Sequence, residues 1–571
     1  MTYRRLRGLR RACQLLFFTA FVALFALAVY PIRTPVPPDI FLRSDPLIAL
    51  STMVSLRRIV LPLLWFALPV AGASIVLGRV FCGWVCPMGT AIDIGERVAH
   101  LRGRRPSQAP PWRRLKFYVL VGLLGMMALP VAHRSARELG VSQSVGLSAI
   151  YVMDPIALIT RTFALAGTPA AQWLARYSSD TVTGWTYADF ADRHPLLLRA
   201  LSPVQLGLSA VARPVYFRAG LLTFAVFVGI IALGRVARRF WCRNLCPLGA
   251  LLGAMGKWSA LRLAVSDRCT RCLRCVNECK MGAITENPKA YLGAECIQCH
   301  ACAAVCPEGA ISVTLGSRQV GRETEVRLDR RRLLGSLGAG LAAAVLLKVD
   351  WGAKRSAAGV LKVSSSRLLR PPGALAEDEF VTACVRCGEC MKVCPTNALQ
   401  PAVGEGGLEA LGTPVLVPRI GPCAQQCNAC GQVCPTRAIE PFRPEEKAHL
   451  FMGTAAVNRS TCIAWSSDRT CLVCDEACSY NAISQVVENG RQAPVVHEDI
   501  CVGCGICEWV CPVEPLGAIH VGSAGDRRHL SREEQRRLRE MAAEPVDQTA
   551  GEAGRGGGRA EGAAGSPYPG L

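Results

Sequence analysis

Cys269-x-x-Cys272-x-x-Cys275-x-x-x-Cys279 is followed by Cys296-x-x-Cys299-x-x-Cys302-x-x-x-Cys306-Pro307, the bacterial two-cluster ferredoxin run. Three closely spaced thiolates wrap one face of a [4Fe-4S] cube, and the fourth, carried away by the curving chain, ligates the neighbouring cube. The expected ligand sets are therefore Cys269, Cys272, Cys275 with Cys306, and Cys296, Cys299, Cys302 with Cys279. A third cysteine in each motif and a tandem copy separate this pattern from a zinc site. Lys280 stands where the run usually carries proline. Cys296-Ile297-Gln298-Cys299-His300 also spells a c-type haem attachment, but attachment would consume two thiols that the cluster run uses. His300 is then a cluster neighbour or a solvated side chain.

Four more motifs follow. Cys384, Cys387, Cys390, Cys394 and Cys501, Cys504, Cys507, Cys511 keep the regular spacing. Cys423, Cys427, Cys430, Cys434 widen the first gap by one residue, and Cys462, Cys471, Cys474, Cys478 widen it to eight. Crossed ligation within each pair predicts the sets Cys384, Cys387, Cys390, Cys434; Cys423, Cys427, Cys430, Cys394; Cys462, Cys471, Cys474, Cys511; and Cys501, Cys504, Cys507, Cys478. An Ala-Ile or Ala-Leu pair trails every motif, as at Ala283-Ile284, Ala310-Ile311, Ala398-Leu399, Ala438-Ile439, Ala482-Ile483 and Ala518-Ile519, and reads as a short strand packed on a cube. No nucleophile-base pair or nucleotide loop accompanies the motifs, so the chemistry they point to is electron transfer.

Of 29 cysteines, these motifs use 24, Cys13 stands alone, and four lie in Cys82-x-x-x-Cys86-Pro87 and Cys242-x-x-x-Cys246-Pro247. Those four belong to an internal repeat. Asp45-Pro46-Leu47-Ile48-Ala49-Leu50 recurs as Asp154-Pro155-Ile156-Ala157-Leu158-Ile159, and Gly78-Arg79 before the first pair is matched by Gly234-Arg235 before the second. A pseudo-twofold axis along the membrane normal would gather Cys82, Cys86, Cys242 and Cys246. Together they could hold a cluster or another thiophilic metal, two could work as a redox dithiol, or each pair could pack at a helix end. Asp45 and Asp154 read either as helix N-caps on the outer surface, each before a proline at the first helical position, or as proton acceptors for a quinol.

The elements that must position these groups are apolar. Half of the residues (51%) are hydrophobic although aromatics make up 6%. Runs Leu15 to Tyr30, Ile59 to Val80, Leu115 to Val131 and Ala219 to Leu233 read as membrane spans. The formal charge of +22 sits beside these runs, as a topology signal and not as a nucleic-acid surface. Arg4, Arg5, Arg7, Arg10 and Arg11, the stretch Arg97 to Arg114, and Arg235, Arg238 and Arg239 place the N-terminus and both CxxxCP pairs inside, while Arg57, Arg58, Arg134 and Arg137 run against that bias. Between the two cysteine-rich regions, Arg330-Arg331-Arg332-Leu333-Leu334-Gly335 and the run to Val349 have the form of a twin-arginine export signal. The run reads as a fifth anchor that puts the second array outside, or as a core helix that keeps it inside.

The expected fold is a membrane α-helical bundle, four spans in two repeats plus a fifth anchor, joined to α+β ferredoxin-like modules. Its parts are 1–255 (transmembrane domain), 256–320 (two-cluster ferredoxin), 321–360 (anchor and linker), 361–522 (four-cluster array) and 523–571 (a short helix capped by Ser531 and Glu534, then a Gly/Ala-rich tail). Residues from about 10 to 315 resemble NapH, a membrane ferredoxin-type subunit, and residues from about 325 to 520 resemble the exported NapG/MauM polyferredoxins. The resemblance implies an inner-membrane quinol dehydrogenase component, here a fusion of two subunits, with six [4Fe-4S] clusters. Its first cluster pair would face the cytoplasm and its four-cluster domain the periplasm. Electrons would pass from the quinol pool to a periplasmic reductase or a multihaem cytochrome c. The alternative is an accessory protein for maturation or reductive activation of a respiratory metalloenzyme.

Overall fold

A computed structural model describes residues 3–32, 34–56, 58–99, 112–128, 152–184, 215–284, 291–315, 328–347, 368–407, 410–467, 469–488 and 490–528. The capping box at Ser531 and Glu534, the tail beyond it, Arg57, Arg134, Arg137 and the far ends of the runs to Val131 and Val349 lie outside these residues.

Helix α1, Tyr3–Leu27, is the longest element at 25 residues, about 37 Å at the usual rise. Its two ends hold different modules. At the N-terminal end Arg7 pairs with Glu278 at 2.5 Å, Tyr3 Oη accepts from the Val313 N–H at 3.1 Å, and Arg10 donates to the Gly83 carbonyl at 3.2 Å. At the other end Lys392 donates to the Phe25 and Ala28 carbonyls, and Tyr30 donates to the Gln426 carbonyl at 3.0 Å. The first ferredoxin module and the second array therefore pack at opposite ends of α1.

Between them lie the repeats. The first runs α2 (Pro46–Leu56), α3 (Leu61–Leu77) and α4 (Pro87–Val98); α5 (Leu115–Ala128) follows it. The second runs α6 (Pro155–Thr162), α7 (Gly220–Ala232) and α8 (Pro247–Met255). The chain turns by 98° between α3 and Val80–Val98, at Gly78, whose φ of +78° a side chain would resist. Helices α2, α4, α6 and α8 begin alike: an Asp or Cys at the N-cap, a proline at the first position, and a first turn buried in the core. Their N-termini pack together, with Leu47, Ile48, Met88, Ile156, Ile159 and Leu248 at most 1% exposed in one cluster. The seam forms α9, Arg330–Leu347, which lies along α5.

Each expected span coincides with a helix, but α3, α5 and α7 as described have 17, 14 and 13 residues, under the roughly 20 that a bilayer takes. Among the described residues α1 is the one helix long and apolar enough to cross a membrane, and the bent pair around Gly78 would make two.

Two sequence readings change. Asp45 and Asp154 do cap helices, but they are fully buried and not on an outer surface, because the two repeats press α2 and α6 into the centre. The partner of Arg79 across the repeat is Arg239, three residues before Cys242 as Arg79 is before Cys82; Arg235 is exposed.

The ferredoxin modules are built on two-stranded antiparallel ribbons. Strand β1 (Leu261–Val265) pairs with β2 (Ile311–Leu315), β3 (Leu399–Pro401) with β4 (Pro414–Leu416), β5 (Thr454–Val457) with β8 (Ile519–Gly522), and β6 (Ile483–Glu488) with β7 (Arg491–Val496). Four of the six Ala-Ile/Leu pairs thus open a strand; Ile284 and Ile439 make single bridges to Tyr291 and Ala374.

Candidate iron-sulfur centres

Left-handed residues curl the chain so that neighbouring thiols point inward. Arg271 and Leu273, Gln298 and His300, Arg386 and Gly388, and Gly503 and Gly505 all have positive φ, each pair flanking the second cysteine of a regular motif. For non-glycine residues this backbone is costly and persists because the surroundings demand it. His300 therefore serves the turn itself, with Tyr3 and Trp84 each 6.3 Å from its ring. The widened motifs lack the pattern: Asn428 and Leu472, after the second cysteines, keep negative φ.

In five of the six sets the thiols gather in the crossed combinations that the spacing predicts. Three cavities are each lined by all four members of a set: Cys279, Cys296, Cys299, Cys302; Cys462, Cys471, Cys474, Cys511; and Cys478, Cys501, Cys504, Cys507. Cys390 faces Cys384, Cys387 and Cys434, and Cys430 faces Cys423, Cys427 and Cys394, so the widened gap does not scatter that set. Cys275 faces Cys269 and Cys272. Burial, and then repulsion from neighbouring thiols, pushes Cys296 and Cys474 up to about 12. Four thiolates cannot share such a pocket without cations, which iron supplies, so the donor sets fit [4Fe-4S] clusters. The trailing alanines have a second role: the N–H groups of Ala283, Ala310, Ala482 and Ala518 donate to the fourth sulfur of their motifs at 3.2–3.3 Å. Such bonds stabilise a sulfur ligand's negative charge and help set a cluster's potential.

The sets of the second array form a row. Cys390 faces Cys430, the Cys423 N–H donates to the Cys504 carbonyl at 2.8 Å, and Cys507 faces Cys474. The order is the Cys384 set, the Cys423 set, the Cys501 set and the Cys462 set. The row begins against the repeats, where Gly388 meets Ala164 in the π-helical turn Phe163–Gly167 that prolongs α6. There Arg161 lies between Asp154 and the thiols Cys384 and Cys387. Asp45 and Asp154 are within hydrogen-bonding reach of each other across the repeat axis. Asp45 Oδ1 accepts from the Leu47 N–H and Asp154 Oδ2 from the Ala157 N–H, both at 2.7 Å.

Cys82, Cys86, Cys242 and Cys246 also meet, each facing the other three. Among the described residues no three His, Cys, Asp or Glu side chains converge on a single-ion position. Around the four thiols runs a ring of buried charge absent from the sequence reading. Arg79 pairs with Glu295 at 2.9 Å and Lys116 with the same oxygen at 2.5 Å, all three at most 1% exposed. Arg239 grips Asp93 through two bonds of 2.8 and 2.9 Å, and Lys280 meets Asp93 at 2.9 Å. Lys280, in place of proline, thus ties the ferredoxin module to α4. The available signal was an arginine three residues before each CxxxCP pair.

Comparison with known proteins agrees with this anatomy. A family described as a 4Fe-4S binding domain matches residues 59–107 and 219–265, one stretch in each repeat. A 4Fe-4S dicluster domain matches 268–311, and a further 4Fe-4S binding domain matches 381–400 and 494–516. The ferredoxin-type protein NapG of Escherichia coli (strain K12) is 36% identical over 156 residues, 26% of this chain and 67% of the relative. The methylamine utilization ferredoxin-type protein MauM of Methylorubrum extorquens is 42% identical over 156 residues, 26% of this chain and 70% of the relative. The ferredoxin-type protein NapH of Haemophilus influenzae is 28% identical over 277 residues, 46% of this chain and 72% of the relative. No solved structure matches the chain. With cysteine sets gathered as clusters require, the chain is an iron-sulfur electron-transfer protein that belongs to the NapG/MauM ferredoxin-type family and carries, ahead of that part, a half similar to NapH.

Proposed function

We propose that this protein oxidises quinol in the cytoplasmic membrane and passes the electrons through its second array to a periplasmic reductase or multihaem cytochrome. The observation that carries the reading is the Asp45–Asp154 pair beside the Cys384 set. Two carboxyl groups facing each other in a dry interior hold one proton between them and leave one carboxylate free to take another. A quinol that gives up two electrons and two protons needs both kinds of acceptor side by side. Cys384, Cys387, Cys390 and Cys434 would hold a cluster that supplies a one-electron acceptor beside the pair, and the Asp pair takes a proton and releases it to water before the second arrives. From there the row of sets leads away from the repeats to the Cys462 set, on whose side a soluble acceptor would dock. The arginine-rich start of α9 supports a retained export signal, with Arg330 and Arg331 on the inner side as the fifth anchor.

The test is reduction of the purified full chain by a short-chain quinol, followed by electron paramagnetic resonance of the clusters. Reduced-cluster signals are expected, and clusters that stay oxidised with every quinol analogue would overturn the reading. Reporter fusions at Val320 and Leu571 test the topology, with an inside signal at the first and an outside signal at the second expected.

A further inference from the structure

The four repeat cysteines remain without a partner in this scheme, and their surroundings are built for one. Each stretch that matches a 4Fe-4S binding domain in the repeats contains two cysteines, Cys82 and Cys86 in one and Cys242 and Cys246 in the other, so neither can hold a cluster alone. The fold brings the two halves together, with Cys86 and Cys246 as N-caps of α4 and α8. The Gly249 N–H donates to Cys246 Sγ at 3.2 Å, and helix N-termini favour negative charge on such a sulfur.

The arginines are exchanged between the halves. Arg239 of the second repeat reaches the first, donating to the Cys82 and Gly89 carbonyls at 3.5 and 3.1 Å. Arg79 of the first reaches the second, passing so close to α8 that a Cβ on Gly249 would stand 2.7 Å from its Nη2 and 3.3 Å from Cys246 Sγ. Glycine occupies the third position after the second cysteine in both repeats: at Gly249 the crossing guanidinium needs that space, and at Gly89 a Cβ would stand 3.1 Å from the Cys82 carbonyl oxygen with the Arg239 guanidinium in contact behind it. Arg79 is fully buried, yet its Nε and Nη2 have no hydrogen-bond partner among the described residues. A buried cation with free donors beside four thiols marks the place of an anion.

We infer that Cys82, Cys86, Cys242 and Cys246 hold one further iron-sulfur cluster, shared between the repeats, with Arg79 and Arg239 as its counter-cations. A cluster ligated by four thiolates carries net negative charge, and the two guanidiniums neutralise it in the apolar interior. The cluster joins the two ferredoxin regions. On one side Arg239 faces both Cys242 and Cys299 of the first module; on the other, the apolar cluster that contains Cys86 and Cys246 also contains Cys387. It gains one electron from a neighbouring cluster and loses one to the next, with no bond broken and no proton moved. The inference rests on the iron-sulfur reading of the chain and not on quinol as the donor.

The experiment is iron and acid-labile sulfide analysis of the anaerobically purified full chain against Cys82→Ser/Cys242→Ser. The variant is expected to lose one cluster's iron and sulfide, and one signal from the low-temperature resonance spectrum, while the six ferredoxin sets stay filled. In Arg79→Gln the midpoint of that same signal is expected to fall, since reduction then adds charge without its cation. Should the serine variant not fold, alkylation of the unaltered chain decides: the four thiols resist until iron is chelated. Unchanged iron and sulfide in a folded variant, free alkylation of all four thiols in the fully loaded chain, or a Cys82–Cys86 disulfide in it would each overturn the site. Failure of quinol to reduce the chain would leave these outcomes untouched.

Discussion

The two ferredoxin regions are fastened to the repeats by different chemistry. The first module is held by buried ion pairs: its Glu295 and Lys280 meet Arg79, Lys116 and Asp93 of the repeats, and Gly83 lies under the Ile297 carbonyl with no room for a side chain. The second array is held by side chains that seek main-chain carbonyls, Lys392 on Phe25 and Ala28, Tyr30 on Gln426, and Asn397 and Gln400 on Tyr216 at 3.1 Å, and by two partly exposed ion pairs, Arg218–Glu405 at 2.6 Å and Arg58–Glu440 at 3.7 Å. Buried charge pairs tolerate little change, because removing one partner strands the other. Hydrogen bonds to carbonyls and partly exposed ion pairs can be exchanged for water one at a time. The comparison teaches that the first module is integral to the repeats, whereas the second array is a docked subunit that a fused chain keeps in place.

The largest expected break is Glu295→Ala, which strands Arg79 and Lys116 and costs about 3–5 kcal/mol. Thermal unfolding monitored by visible cluster absorbance should show early loss of the first module, with the second array's transition unmoved. Next, Gly83→Ala drives a Cβ into the Ile297 carbonyl and costs about 1–3 kcal/mol, again confined to the first module's transition. On the other side, Lys392→Met removes a cation from the C-terminal end of α1 and should cost about 1–2 kcal/mol. Limited proteolysis should then release the second array while both sets of cluster signals survive. Lys280→Pro restores the usual ferredoxin residue and removes the least buried of these ion pairs, worth about 1 kcal/mol or less, since Arg239 still holds Asp93. If this substitution unfolds the module, the two regions differ more than their contacts imply.

A pH series sharpens the contrast from within the second array. Burial raises the Glu377 carboxyl, but the Arg370 guanidinium and then Arg528 outweigh it and hold the group below its usual range. Its stabilising effect is therefore complete above the unfolded carboxyl value and is lost as pH falls through the lower folded value. The array of Glu377→Gln should show a shallower acid transition than the unaltered chain, and equal transitions would remove Arg370–Glu377 as an acid-sensitive clasp.

Much of the site was legible because a cluster motif is local. Ligand spacing, crossed sets and trailing alanines are properties of short stretches, and even the widened Cys423 gap keeps its four thiols together. The repeat was legible as well, through Asp-Pro and CxxxCP. Its register was not: Gly78-Arg79 matches Gly234-Arg235 by letters, and only the exchanged positions of Arg79 and Arg239 show which arginine is equivalent. Burial of Asp45 and Asp154 was hidden for the same reason, since an Asp-Pro helix start looks alike on a surface and at a dimer-like axis.

By itself the sequence determined the cluster-type cysteine motifs, the division into two cysteine-rich regions and the twofold repeat between them, because each depends on residue types within a few positions of one another. Only the tertiary structure decided that the two regions stand at opposite ends of α1, that Glu295 bridges Arg79 and Lys116 from 179 or more residues away, and that the four repeat cysteines lie near one another. Those contacts join segments far apart in the chain, and no local pattern encodes a partner that folding alone brings near.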